Sequence, residues 1–178
     1  MAIIPAASAV RASSVRVAMA VVATLVLTAD QVTKTLVLAS HPASHPAAGT
    51  GWATVRLVRN TGATGGIGSG YPVLVTLTAL VIAGAAATLA VRARGRVVAI
   101  CLAAVLGGAL GNLSDRIFRS PGFGRGAVVD WIHLGGSGGS FDVADMAIQF
   151  GVLGAVIAMV ASERSRKARQ PREHVKPG

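Results

Sequence analysis

The chain has 178 residues, 52% of them hydrophobic and only 4% aromatic, with a formal net charge of +10. The length suits one domain, but the apolar residues stand in long runs instead of interleaving with polar ones, which excludes an ordinary soluble core. The single cysteine, Cys101, lies inside one of those runs and excludes a disulfide framework or a multi-cysteine metal site.

A bilayer's hydrocarbon core is about 30 Å thick, roughly 20 residues of helix. Four stretches meet that requirement, and the expected helices run about 17–38, 72–91, 97–114 and 144–161. The first is interrupted by Asp30, Gln31 and Lys34. It is too long for a cleaved signal peptide, and no small-x-small cleavage site with a soluble domain behind it follows, so it reads as a retained helix. Asp30 and Lys34 stand at i,i+4 and share a helix face. A structural salt bridge tethering the helix end accounts for that pair without any chemistry.

The next region, up to Tyr71, reads as an outer loop. His41 and His45 have ligand-like spacing, but Pro42 and Pro46 follow them and discourage the helix a metal site would need. "WATVRLVRN", Trp52 to Asn60, partly alternates and is rich in β-branched residues, which predicts a short strand. "NTGATGGIGSG" is a turn-rich loop headed by Asn60, whose glycines let backbone approach a ligand closely. It lacks the Lys-Ser/Thr ending of a phosphate-binding loop, so no nucleotide is expected.

The second span carries no charge. The third ends in "GNLSDRI", where Asn112, Asp115 and Arg116 follow a long apolar run. An ionisable residue inside a span costs about 2.5–3.5 kcal/mol, so such residues face a cavity or a partner. Asp115 and Arg116 alone read as an interfacial charge pair capping a helix C-terminus. Asn112 fits that reading poorly, because a buried amide wants several hydrogen bonds.

The second outer region contains "VVDWIHL", with Asp130 in a strand-like or interfacial segment and Trp131 suited to the headgroup layer. "GGSGG" around Ser137 formally matches a nucleophile pattern. It lacks the strand-turn-helix context and a His–acid partner set, so it reads as a linker, and His133 as an interfacial polar residue. The fourth span is entered through Asp142 and Asp145. Residues 162–178 read as a disordered basic tail on the cytoplasmic side.

Basic residues follow a topological rule. Arg11 and Arg16 precede the first span, Arg92, Arg94 and Arg96 separate the second and third, and Arg164, Arg166, Lys167, Arg169, Arg172 and Lys176 follow the fourth. With alternating helices all of them fall on one face, which predicts cytoplasmic termini. The positive charge is then membrane topology and lipid attraction, and no nucleic acid is expected. Asp30, Asp115, Asp130, Asp142 and Asp145 converge on the opposite face. Asp130 and Asp145 are joined by a flexible loop and can meet. Like charges a few Å apart cannot both ionise, so such a pair holds one proton. One carboxylate can then activate water while the other protonates a departing amide nitrogen.

Five stretches carry a likeness to a known family: "DQVTK" (Asp30 to Lys34), "RNTGA" (Arg59 to Ala63), "GGALGNLSDRI" (Gly107 to Ile117), "VVDWIHL" (Val128 to Leu134) and "FDVAD" (Phe141 to Asp145). In this order they resemble lipoprotein signal peptidase, also called signal peptidase II, a four-helix membrane aspartic peptidase. The resemblance implies a mainly α integral membrane fold with a small extracytoplasmic β-cradle. It implies removal of the signal peptide from bacterial prolipoproteins, just before a diacylglyceryl-modified cysteine. By the same likeness Asp130 and Asp145 are the catalytic pair. Asn60, Asn112 and Arg116 line the substrate site, and Asp30, Lys34 and Asp115 support it. No metal and no cofactor are implied. The expected partners are prolipoprotein substrates and membrane lipids, with the chain a monomer in the bacterial plasma membrane and its site at the extracytoplasmic face. Two departures stand out. Asp142 replaces the family's usual asparagine and would pair with Arg116, stay protonated or disturb the dyad. The Gly-rich run after Ala63 replaces an aromatic residue and a bulkier loop.

Two readings of other classes remain. A proton-coupled transporter would use intramembrane acids, but no inverted repeat and no broken span is visible. A structural membrane subunit would use its charges only to dock partners.

Overall fold

The computed structural model describes residues 6–40, 52–135 and 139–169. His41, His45 and Ser137 lie outside them. The described chain is mainly helical: α1 (Ala6–Ser40), α2 (Pro72–Arg92), α3 (Arg96–Phe118) and α4 (Val143–Arg169), with a sheet of β1 (Ala53–Asn60), β2 (Val128–Leu134) and β3 (Ser140–Phe141). All four helices are long and apolar enough to cross a membrane.

α3 is the central helix and packs against each of the other three. Its small residues make this possible. A Cβ on Gly107 would sit 2.6 Å from the Ala23 carbonyl oxygen of α1, and one on Gly108 would sit 2.5 Å from the Ala144 oxygen of α4. Without a driving force from water, helices in lipid associate through such close backbone approach. The surfaces turned away from α3 carry exposed apolar side chains, among them Leu25, Leu36, Val81, Val91 and Ile157. In a bilayer these face lipid.

Strand order is β1-β2-β3, antiparallel throughout. Val58 pairs with Asp130 and Asn60 with Val128, with an irregularity between Val55 and Val58. Side chains alternate across a strand, so Val58, Asn60, Val128 and Asp130 share one face. Chain alternation brings the end of α1, the start of α2, the end of α3, the start of α4 and the sheet to the same end of the bundle.

The expected spans are all present, with three boundaries shifted by more than two residues. α1 starts at Ala6, before the predicted residue 17, because an Ala-rich stretch without glycine or proline precedes the apolar run. α3 continues to Phe118, past the predicted 114, and ends just ahead of Pro121, whose ring disfavours helix in the residue before it. Asp115 and Arg116 therefore lie within the helix and not beyond it. α4 continues through 162–169, part of the stretch expected to be disordered. Its Glu, Arg, Lys and Ala extend a helix that is already nucleated.

Candidate active site

Lys34 organises the acidic end of the bundle. Its Nζ lies 2.8 Å from Asp30 Oδ2, 2.9 Å from Asp115 Oδ2 and 2.7 Å from Asp142 Oδ2, and all four side chains are fully buried. The predicted Asp30–Lys34 pair is therefore one edge of a four-residue knot. Removing any one member of a buried charge cluster leaves the others uncompensated.

The carboxylates of the knot also hold the start of α4. Asp142 precedes the helix, and its Oδ1 accepts the Asp145 amide at 2.7 Å. Asp30 Oδ1 accepts the Ala144 amide at 3.1 Å. Two orphan N–H groups of the first turn are thereby satisfied, and negative charge sits at the positive end of the helix dipole. Asp115 Oδ2 accepts the Val129 amide at 3.2 Å, next to Asp130. The same cluster thus fixes the backbone beside both Asp130 and Asp145.

Two amides orient the two aspartates. Asn60 Nδ2 donates to Asp130 Oδ2 at 3.1 Å, and its Oδ1 accepts the Gly62 amide at 2.9 Å. Asn112 Nδ2 donates to Asp145 Oδ1 at 3.0 Å, and its Oδ1 accepts from Lys34 at 3.2 Å. The Asn112 amide expected to bind substrate is therefore engaged at both ends within the protein. One carboxylate oxygen each from Asp130, Asp142 and Asp145 lie within 4.8 Å of one another. Hydrogen bonds between oxygens run about 2.7–2.8 Å, so this spacing admits a water shared between two carboxylates. The distances alone would also suit a cation, but the Lys34 ammonium already occupies that charge position against Asp142.

Arg116 departs from expectation. It pairs neither with Asp115, whose partners are Lys34 and Arg119, nor with Asp142, which is held by Lys34. Adjacent helix residues do not face each other, so the Asp115–Arg116 pair read from sequence does not form. Arg116 Nη2 donates to the Gly62 carbonyl at 2.8 Å, while its buried Nε and Nη1 have no partner among the described residues. Sequence reasoning did not assign two supporting residues. Gln31 Nε2 donates to Asp115 Oδ1 and the Gly111 carbonyl, and Arg119 Nε donates to Asp115 Oδ1. Gln31 was visible as a polar break in the first span, and Arg119 stands one turn after Asp115.

Asp130 and Asp145 both line a cleft of about 340 Å³ with Asn60, Asn112 and Arg116. The remainder is largely apolar and comes from α2, α3, α4 and the loop before α2, including Ile67, Leu74, Val75, Ile82 and Ile148. Asp130 itself is 2% exposed. Burial, then the negative charges of Asp142 and Asp145, push its carboxyl up to about 7 against the opposing pull of Asn60 and Lys34. Burial also raises Asp142, against the nearby Lys34 ammonium.

Residues 22–161, which contain every one of these side chains, match the signal peptidase (SPase) II family. The chain belongs to the signal peptidase II family. A lipoprotein signal peptidase of Leifsonia xyli subsp. xyli is 39% identical over 135 residues, covering 75% of this chain and 62% of that relative. One of Streptomyces griseus is 41% identical over 111 residues, covering 62% of this chain and 55% of the relative. The chain thus spans less than two thirds of the length of these family members. A solved bacterial membrane enzyme shares the fold, with a TM-score of 0.72 at 24% identity over 89% of this chain and 94% of the other. A second has a TM-score of 0.64 at 26% identity, over 79% and 91%. The fold is thus shared with solved bacterial membrane enzymes, and the five stretches singled out by sequence all fall inside the region that matches the family.

Proposed function

We propose that this chain is an aspartic endopeptidase that removes signal peptides from bacterial prolipoproteins, cutting before a cysteine that carries a diacylglyceryl group. The observation that carries the proposal is the approach of the Asp130 and Asp145 carboxylates within 4.8 Å at the polar head of an apolar cleft. The apolar walls suit a signal helix and acyl chains. The polar head suits a bond that must be hydrolysed by water.

The pair holds one proton and titrates as a unit. The ionised carboxylate takes a proton from the shared water, whose oxygen attacks the scissile carbonyl carbon. The protonated carboxyl gives its proton to the amide nitrogen, the C–N bond breaks, and the products are a peptide acid and the amine of the lipidated cysteine. The two free N–H groups of Arg116 are available to the substrate carbonyl oxygen as negative charge develops on it. Asn60 and Asn112 keep the two carboxylates in register. Binding energy from the lipid chains and signal helix holds the bond against the pair.

We assign both termini to the cytoplasm and the site to the extracytoplasmic face, in the bacterial plasma membrane, with the chain acting as a monomer. Collection of the acids at one end of the helices favours this reading over a proton path across the membrane. The test is processing of a prolipoprotein in cells lacking the native activity. Asp130→Asn and Asp145→Asn should each leave the precursor uncut on a gel, with at least about a thousand-fold loss, as for removal of a group that acts only in the transition state. Normal processing by both variants would end the proposal.

A further inference from the structure

A second cavity, of about 310 Å³, meets the cleft at the reacting residues. Asn60 and Asp130 line both cavities, and among the described residues no other does. The loop after Asn60 forms the partition: Ala63, Ile67 and Gly68 face the cleft, whereas Thr61, Gly65, Gly66 and Ser69 face the second cavity. Polar side chains make up a larger share of the second cavity's lining than of the cleft's. The cleft is walled by helices and apolar side chains. The second cavity is walled by the sheet face and by Arg59, Thr61, Ser69 and Ser140. Space beside Gly65 and Gly66 is open, since a Cβ at either would meet nothing within 4 Å, and both have positive φ. Backbone of another chain can approach there closely.

A peptide cut at Asp130 must continue in two directions from the broken bond. On one side it is an apolar signal segment, on the other a polar chain bound for water. We propose that the second cavity is the subsite for the polar segment that follows the lipid-bearing cysteine, held in extended form through its backbone and by Arg59. The inference rests on the peptidase reading above. It gives the Gly-rich run a role: a thin wall under which the substrate passes from an apolar cleft to a space lined by a larger share of polar side chains, with Asp130 at the crossing. Contacts remote from the cut bond can raise the rate of bond breaking when they position it.

The test compares two synthetic substrates in detergent micelles. Each has an apolar segment and a diacylglyceryl cysteine, followed either by a single residue or by about four polar residues, roughly 13 Å of extended chain. The wild-type chain should cut the longer one with kcat/KM higher by on the order of ten-fold, the equivalent of about 1.4 kcal/mol. Ser69→Trp, which fills the cavity from an exposed loop position, and Arg59→Ala should each bring the long-to-short ratio toward one. The ratio is insensitive to partial misfolding, which lowers both rates together. A wild-type ratio near one, or a ratio unchanged in both variants, overturns the subsite while cleavage of the short substrate keeps the peptidase reading intact. Failure of the wild-type chain to cut either substrate overturns both.

Discussion

Lys34 sits against Asp30, Asp115 and Asp142, and through them it reaches the backbone beside both Asp130 and Asp145. Asp142 makes this arrangement testable because its two oxygens do different work. Oδ1 caps α4 at the Asp145 amide, and Oδ2 meets the ammonium. Asp142→Asn keeps an acceptor for the cap and removes the charge, whereas Asp142→Ala removes both. Thermal unfolding in detergent should find the alanine variant less stable than the asparagine variant by about 0.5–2 kcal/mol, the worth of an N-cap. The charge has its own readout. Asp142 is among the causes that raise Asp130 to about 7. Activity of the wild-type chain should therefore fall as pH rises through about 7, where the pair loses its shared proton. In Asp142→Asn the same limb should move to lower pH, because one negative neighbour is gone. Stability follows the same group. The folded value for Asp130 lies above the unfolded one near 3.8. Its favourable contribution is full below about pH 4 and is lost as pH rises through about 7. Melting should be lower at about pH 8 than at about pH 6, and Asp130→Asn should shrink that difference. Much of this site is legible in the chain itself: buried aspartates, asparagines and a lysine in greasy segments announce a polar cluster by their cost alone. Their pairing is not legible. Asp115 and Arg116 are neighbours in sequence, yet the helix turns them apart, and Asp115 is satisfied by Lys34, Arg119, Gln31 and the Val129 amide instead.

At the scale of elements, α3 works because it is thin. Gly108 lies against the Ala144 carbonyl and Gly111 against Asp30, where an added Cβ would stand 2.5 Å from Oδ2. Gly108→Val must push α4 away at the residue beside Asp145, and backbone cannot yield as a side-chain tip does. Overpacking of this kind costs about 1–3 kcal/mol, so a lowered melting temperature should accompany loss of precursor processing. A variant with wild-type melting and processing would show that α3 and α4 are not in close contact there. The spans were legible because a run of apolar residues needs no partner to be recognised. Their ends were less so. α3 and α4 continue into polar sequence because a formed helix propagates through good helix formers until glycine or proline stops it. β2 could be read as strand or interfacial segment from sequence. Its pairing with β1, sixty or more residues earlier, decides for strand.

The whole molecule is polarised. Arginines 92, 94 and 96 join α2 to α3 at one end, and the acidic cluster, the sheet and both cavities lie at the other. With the basic end cytoplasmic, a cysteine introduced by Arg94→Cys in a Cys101→Ser background should resist a membrane-impermeant thiol reagent in intact spheroplasts. One introduced by Phe123→Cys, at an exposed position near the acidic end, should react. The reverse pattern would invert the proposed orientation. The class of the protein, the number of its spans and the residue types of its polar cluster can be read from the chain alone. Each of these is local, since hydropathy and charge are properties of a segment wherever it lies. Packing settles which carboxylate meets which cation, that Asp30 caps a helix beginning more than a hundred positions later, and that two differently lined cavities touch at Asp130. Those outcomes depend on how closely helices approach and on which groups compete for one ammonium, and no segment carries that information alone.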